Sequence, residues 1–178
     1  MKCLTRQILL YGGVLLLVTA CCELPTYTPT FWNDGGTVQH SNNCYNYSNN
    51  KRTDTFAQPG RASGSTAGTM QCDPVKTAAI ADGLTALPAS GHCPSSSKST
   101  ECKLALVVAP DWDYHWYRLD SNGMWSHKPG QTQATNRDNS GQLISDPETA
   151  DRGAYINFCG YLCSCSDAAE GQGHENIN

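Results

Sequence analysis

Residues 104–127 read LALVVAPDWDYHWYRLDSNGMWSH, and the fold turns on how that string divides. Residues 104–109 are an unbroken apolar run of strand length, residues 113–119 are rich in aromatics, and residues 124–127 follow a cluster of turn residues. Two turn geometries compete for Asp120-Ser121-Asn122-Gly123. A two-residue Asn122-Gly123 loop sets Arg118 opposite His127 and sends His115 to the other face of the sheet. A type I turn closed by Gly123 in a left-handed bulge sets Tyr117 opposite His127, with both histidines on one face. Asp120 at the first turn position and Gly123 at the fourth favour the second geometry.

Working outward, residues 142–145 and 154–160 are read as two further short strands. Upstream, residues 73–87 predict a helix with Asp73 as cap, Pro74 at its first position, and Val75, Ala79, Ile80, Leu84 and Leu87 along one side. Asn42 and Asn43 stand where an asparagine caps a short helix, which puts Cys44 at that helix's N-terminus. Residues 58–68 are a Gly/Ser-rich loop. Residues 23–39 are an extended lead-in anchored by Phe31 and Trp32. Helices followed by strands imply an α+β domain, N-terminal helices packed on a small antiparallel sheet and stabilised by disulfides.

The ends set the compartment. Lys2 and Arg6 precede an apolar run over residues 8–18 and small residues at Thr19-Ala20, the pattern of an export signal over residues 1–22. The run is too short to span a bilayer. Val18-Thr19-Ala20-Cys21 also fits a bacterial lipobox, so a lipoprotein anchored at Cys21 is the alternative to a secreted chain. Cysteine richness and the Asn46-Tyr47-Ser48 sequon favour the secretory route, with Asn46 as the glycosylation candidate. The expected organisation is a signal at 1–22, one globular domain at 23–165 and a disordered tail at 166–178. Removing the signal shifts the formal charge from −4 to −6, since Lys2 and Arg6 leave and no acid does. A mildly acidic chain without a basic cluster excludes nucleic acid as a partner, and no second apolar stretch is long enough for a transmembrane segment.

Cleavage after Cys22 leaves Cys44, Cys72, Cys93, Cys102, Cys159, Cys163 and Cys165, an odd set. Cys93 and Cys102 are the easiest pair to imagine closing on each other. Cys44 is the expected unpaired thiol, the other six forming three disulfides. Disulfides are also the default for Cys159, Cys163 and Cys165 in an exported chain, so no metal and no cofactor is expected.

A cysteine at a helix N-terminus is favoured as a thiolate, because unpaired N–H groups and the helix dipole stabilise negative charge. Of the histidines that would serve as its base, His92 and His174 lie in a loop and the tail. The chain also holds His40, but His115 and His127 lie on neighbouring strands and are the candidates. Asp138 is an alternative residue for orienting His127, although it most simply starts a turn, as does Asp146. Trp112, Trp116, Trp125 and Tyr117 are read as core or groove lining rather than as a sugar-binding platform.

A helix-start cysteine, a strand histidine and a second histidine twelve residues on resemble the papain-like hydrolases of the NlpC type. The resemblance implies a papain-like core in which Cys44 is nucleophile, His115 the base and His127 the residue orienting the imidazole. Tyr45-Asn46 stand where that family carries a serine and a small residue. A longer resemblance runs through Asn42-Asn43-Cys44-Tyr45-Asn46-Tyr47, Thr55-Phe56-Ala57-Gln58-Pro59-Gly60-Arg61, Tyr114-His115-Trp116-Tyr117-Arg118, Trp125-Ser126-His127-Lys128-Pro129-Gly130, Asp138-Asn139-Ser140-Gly141, Asp146-Pro147 and Arg152. These strings are similar to a family of small secreted proteins found among bacterial exports and among insoluble-matrix proteins of calcified mollusc shell. Two functions follow as expectations. The first is a secreted component of an extracellular, calcified matrix, partnered by other matrix components and built on a hydrolase-like core, active or not. The alternative is an active thiol peptidase or amidase that uses Cys44 and His115 on a peptide substrate.

Overall fold

The computed structural model describes residues 24–88, 91, 93 and 100–166. The expected export segment, His92, His174 and the tail beyond Ser166 lie outside the described residues.

Three short helices lead, α1 (Thr37–Ser41), α2 (Cys44–Ser48) and α3 (Cys72–Ala81), after a 3-10 turn at Pro29–Phe31. Five strands follow, β1 (Thr85–Leu87), β2 (Thr100–Ala109), β3 (Asp113–Leu119), β4 (Trp125–His127) and β5 (Asn157–Ser166). They form one antiparallel sheet in the order β1-β5-β2-β3-β4, so the chain is α+β as its pattern implies.

The second turn geometry is the one adopted. Gly123 has φ +81°, its N–H donates to the Asp120 carbonyl at 2.9 Å, and the Asp120 N–H donates to the Met124 carbonyl at 2.9 Å. The resulting register sets Tyr117 opposite His127. Helix α2 is also locally specified. Asn43 Oδ1 accepts from the N–H groups of Tyr45 and Asn46 at 3.0 and 3.1 Å, and Asn46 Oδ1 accepts from the Asn43 N–H at 3.1 Å, a closed capping box.

Several boundaries differ from expectation, among them the start of α3, which is Cys72 after Gln71 rather than a cap at Asp73. Helix α3 stops at Ala81 rather than running to residue 87, because Gly83 takes φ +100°. The N–H of Gly83 then donates to the Ile80 carbonyl and that of Leu84 to the Ala79 carbonyl, which closes a Schellman motif. Leu84 therefore reaches the core from beyond the helix, whereas Ile80 is 43% exposed. Residues 142–145 make a single bridge, Arg137 to Leu143, rather than a strand. The last strand starts later and runs further than residues 154–160, because β5 continues through Cys163 as the partner of both β2 and β1.

The sheet is buried on both faces. Leu104, Leu106, Val108, Tyr114 and Trp116 pack with Cys44, Tyr45, Val75 and Ala79 from the helices. Ala105, Val107, Tyr117, Trp125 and Ile144 pack on the other side, beneath Ala150 and Tyr155 of the loop between β4 and β5. A β-bulge at Cys159 and Gly160 shifts the register between β2 and β5, so Cys159 and Leu162, three residues apart, both join the helix-side core.

Candidate functional site

The pairing of β3 with β4 brings His115 and His127 together on the face away from the helices. His115 Nε2 lies 2.8 Å from His127 Nδ1, and His127 Nε2 lies 3.0 Å from the carbonyl oxygen of Arg137. A carbonyl only accepts, so His127 carries its proton on Nε2 and accepts on Nδ1, and His115 donates from Nε2. One backbone carbonyl thus sets both tautomers and leaves His115 with an unprotonated Nδ1. The rings are buried and packed against Tyr117, with Tyr155 over His115. Burial, reinforced by the neighbouring His127, holds His115 well below the ordinary histidine range. Burial also lowers His127, against the opposing pull of the Arg137 carbonyl and Asp138. Asp138 does not orient His127. Its carboxylate is engaged by Ser140, Gln142 and the Asp151 N–H.

Cys44 begins α2, as expected, but α2 packs on the opposite face of the sheet from the two imidazoles. Its thiol lies in the core with Tyr114 and Trp116, against the backbone N–H of Trp116, one residue beyond His115. The activation anticipated for a helix-start cysteine does not prevail, since burial pushes the thiol up to about 12. Burial outweighs the backbone N–H groups of Trp116, Tyr45 and Cys44, which all pull the other way.

The cysteines pair differently from the simplest expectation. Cys93 joins Cys163 rather than Cys102, and Cys72 joins Cys159. Cys102 is buried on β2, opposite Ser164, and belongs to neither bridge; the Cys165 side chain lies outside the described residues. Cys44 carries a free thiol, as anticipated. Asn46 does not suit a glycan. It is fully buried, and its amide Nδ2 donates to the Lys51 carbonyl and Thr53 Oγ1 at 3.1 and 2.7 Å. Trp116, Trp125 and Tyr117 line the core, but Trp112 is 69% exposed. Among the described residues no three His, Cys, Asp or Glu side chains converge as a metal-ligand group. No described helix is long and apolar enough to cross a membrane.

Two buried cations escape sequence reasoning. Arg118 stacks on Tyr47, pairs with Asp120 at 2.9 Å and donates to Asn50 Oδ1 and to the carbonyls of Tyr47 and Thr26. Lys128 Nζ donates to the carbonyls of Gln39, Asn42 and Gly130, and burial lowers its pKa to about 8. Each is a single basic residue beside aromatics, with no spacing that announces a partner.

One curated relative, insoluble matrix shell protein 1 of Ruditapes philippinarum, is 52% identical over 136 residues, which covers 76% of this chain and 87% of that protein. No protein-family model matches the chain, and no solved structure matches it.

Proposed function

The chain belongs to the family of insoluble matrix shell protein 1, and from that premise we propose that it is a secreted component of the organic matrix of a calcified shell. Residues 1–22 are then its export signal, 23–165 the secreted domain, and its partners other components of the same extracellular matrix. The observation that carries this is the identity of 52% sustained over 87% of the relative. The test is mass spectrometry on shell demineralised in acid. Peptides of this chain in the insoluble residue are expected, and their confinement to soft tissue would overturn the assignment.

A second reading, an amide hydrolase with a papain-like core, has one observation in its favour. The bond chain from the Arg137 carbonyl through His127 leaves His115 Nδ1 as a free base, the state a thiol nucleophile requires. Against it stand the sheet, which lies between the Cys44 thiol and both imidazoles, and the burial that raises that thiol to about 12. Iodoacetamide at neutral pH should therefore label Cys44 slowly in the native protein and fast after unfolding. Rapid native labelling that vanishes in His115→Ala would contradict the placement of the two groups on opposite faces of the sheet and restore the hydrolase.

A further inference from the structure

Between β2 and β3 the chain holds a large aromatic side chain in water. Trp112 is 69% exposed and Ile156 beside it on the neighbouring loop is 68% exposed. The tryptophan is not loose. Asp111, immediately before it, has φ +59°, a conformation a non-glycine residue keeps only when its surroundings enforce it. The Asp111 N–H donates to the Met70 carbonyl at 3.0 Å, Gln71 Nε2 donates to Asp111 Oδ1 at 2.7 Å, and the Trp112 N–H donates to the Ala109 carbonyl at 3.1 Å. The indole lies nearly parallel to the Tyr155 ring, 6.3 Å between centroids at 16°. Tyr155 is itself tied down, its hydroxyl donating to Asp113 Oδ2 at 2.8 Å and its carbonyl accepting from Arg152 Nε at 3.1 Å.

We propose that this turn binds a neutral polysaccharide, a pyranose ring laying its C–H face on Trp112 and its hydroxyls reaching the carboxylates of Asp111 and Asp113. A flat, pre-ordered π face suits a ring whose one side is all C–H. Carboxylates retain acceptor capacity beside such a face after one or two bonds are made. The two carboxylates at the rim and a formal charge of −4 select against an acidic polymer. The exposed apolar area is one indole, a phenol edge and one isoleucine, well short of what a stable protein–protein interface buries. This goes beyond the matrix assignment and does not depend on it, because binding is read on pure polysaccharide and residence is read in shell.

The test is depletion of the purified full chain from solution by regenerated chitin and by microcrystalline cellulose, with a polygalacturonate gel as the acidic counterpart. Retention on at least one neutral polysaccharide is expected, with affinity lowered at least tenfold in Trp112→Ala and only a few-fold in Trp112→Phe. The thermal midpoint of both variants should stay that of the parent, since the side chain is outside the core. No retention by either neutral polysaccharide, equal retention of Trp112→Ala, or tighter binding to the acidic gel would overturn the proposal. So would sedimentation that shows a dimer dissolved by Trp112→Ala, which would make the patch a self-contact.

Discussion

The two faces of the sheet are equally dry and differently built. On the helix side, Leu104, Leu106, Val108 and Trp116 meet apolar residues of α2 and α3, and the Cys72–Cys159 bridge staples α3 to β5. On the other side no described helix covers Tyr117 and Trp125. The loop between β4 and β5 does so, and the polar groups it buries, His115 and His127, are satisfied by one another and by the Arg137 carbonyl. The first face is held by area and a covalent link, both insensitive to pH in the neutral range. The second is held by directional bonds between groups that titrate, and it is the face that acid should loosen first.

Three experiments break or sharpen that contrast. With Cys93–Cys163 still closed, opening the staple with Cys72→Ala and Cys159→Ala releases the segments from Cys72 to Cys93 and from Cys159 to Cys163, a loop far shorter than the 87 residues the bridge spans in sequence. The expected loss is about 3 kcal/mol, read from denaturant midpoints under non-reducing conditions. A loss on the other face should be smaller. His127→Ala leaves the His115 Nε2–H and the Arg137 carbonyl without their partner, for about 2 kcal/mol. Hydrogen exchange should then rise in the β4–β5 loop before α2 or α3; the reverse order would mean the two faces are one cooperative unit.

The third effect is the most specific. His115 and His127 are both lowered from the ordinary 6.5, so the unfolded chain binds protons below that pH while the folded chain does not. Stability carried by the pair is fully present above about pH 6.5 and falls as the pH drops toward the folded values. The slope is about 1.4 kcal/mol per pH unit for each proton taken up. Thermal midpoints between pH 7.5 and 5.5 should decline accordingly. The decline should flatten in the His115→Gln/His127→Gln variant and persist in the disulfide variant. A profile unchanged by removing the histidines would place the acid-sensitive groups elsewhere.

Much of the site was legible in the residues. Asp120 and Gly123 at the ends of one turn imply the register that joins His115 to His127, and the structure follows it. The error lay with Cys44. Its place at a helix start was readable, but the side of the sheet that α2 covers, and with it the burial that raises the thiol, was not. The exposed Trp112 was equally hidden, because an aromatic in a strand-rich stretch carries no mark of burial until its neighbours are known.

By itself the sequence determined what hydrogen bonds and side-chain period settle within a few residues. These are the strands at residues 104–109 and 113–119, the bulged turn between β3 and β4, and the capped start of α2. Each is a local bond pattern, repeated wherever the same residues occur. Tertiary structure alone decided that Cys93 takes Cys163, 70 residues away, over Cys102 nearby. It also decided that a bulge turns Cys159 toward Cys72, and that Lys128 donates to the distant carbonyls of Gln39 and Asn42. Those outcomes depend on which segments meet once both faces of the sheet are covered, and that packing outweighs the roughly 2 kcal/mol by which loop closure favours the nearby cysteine pair.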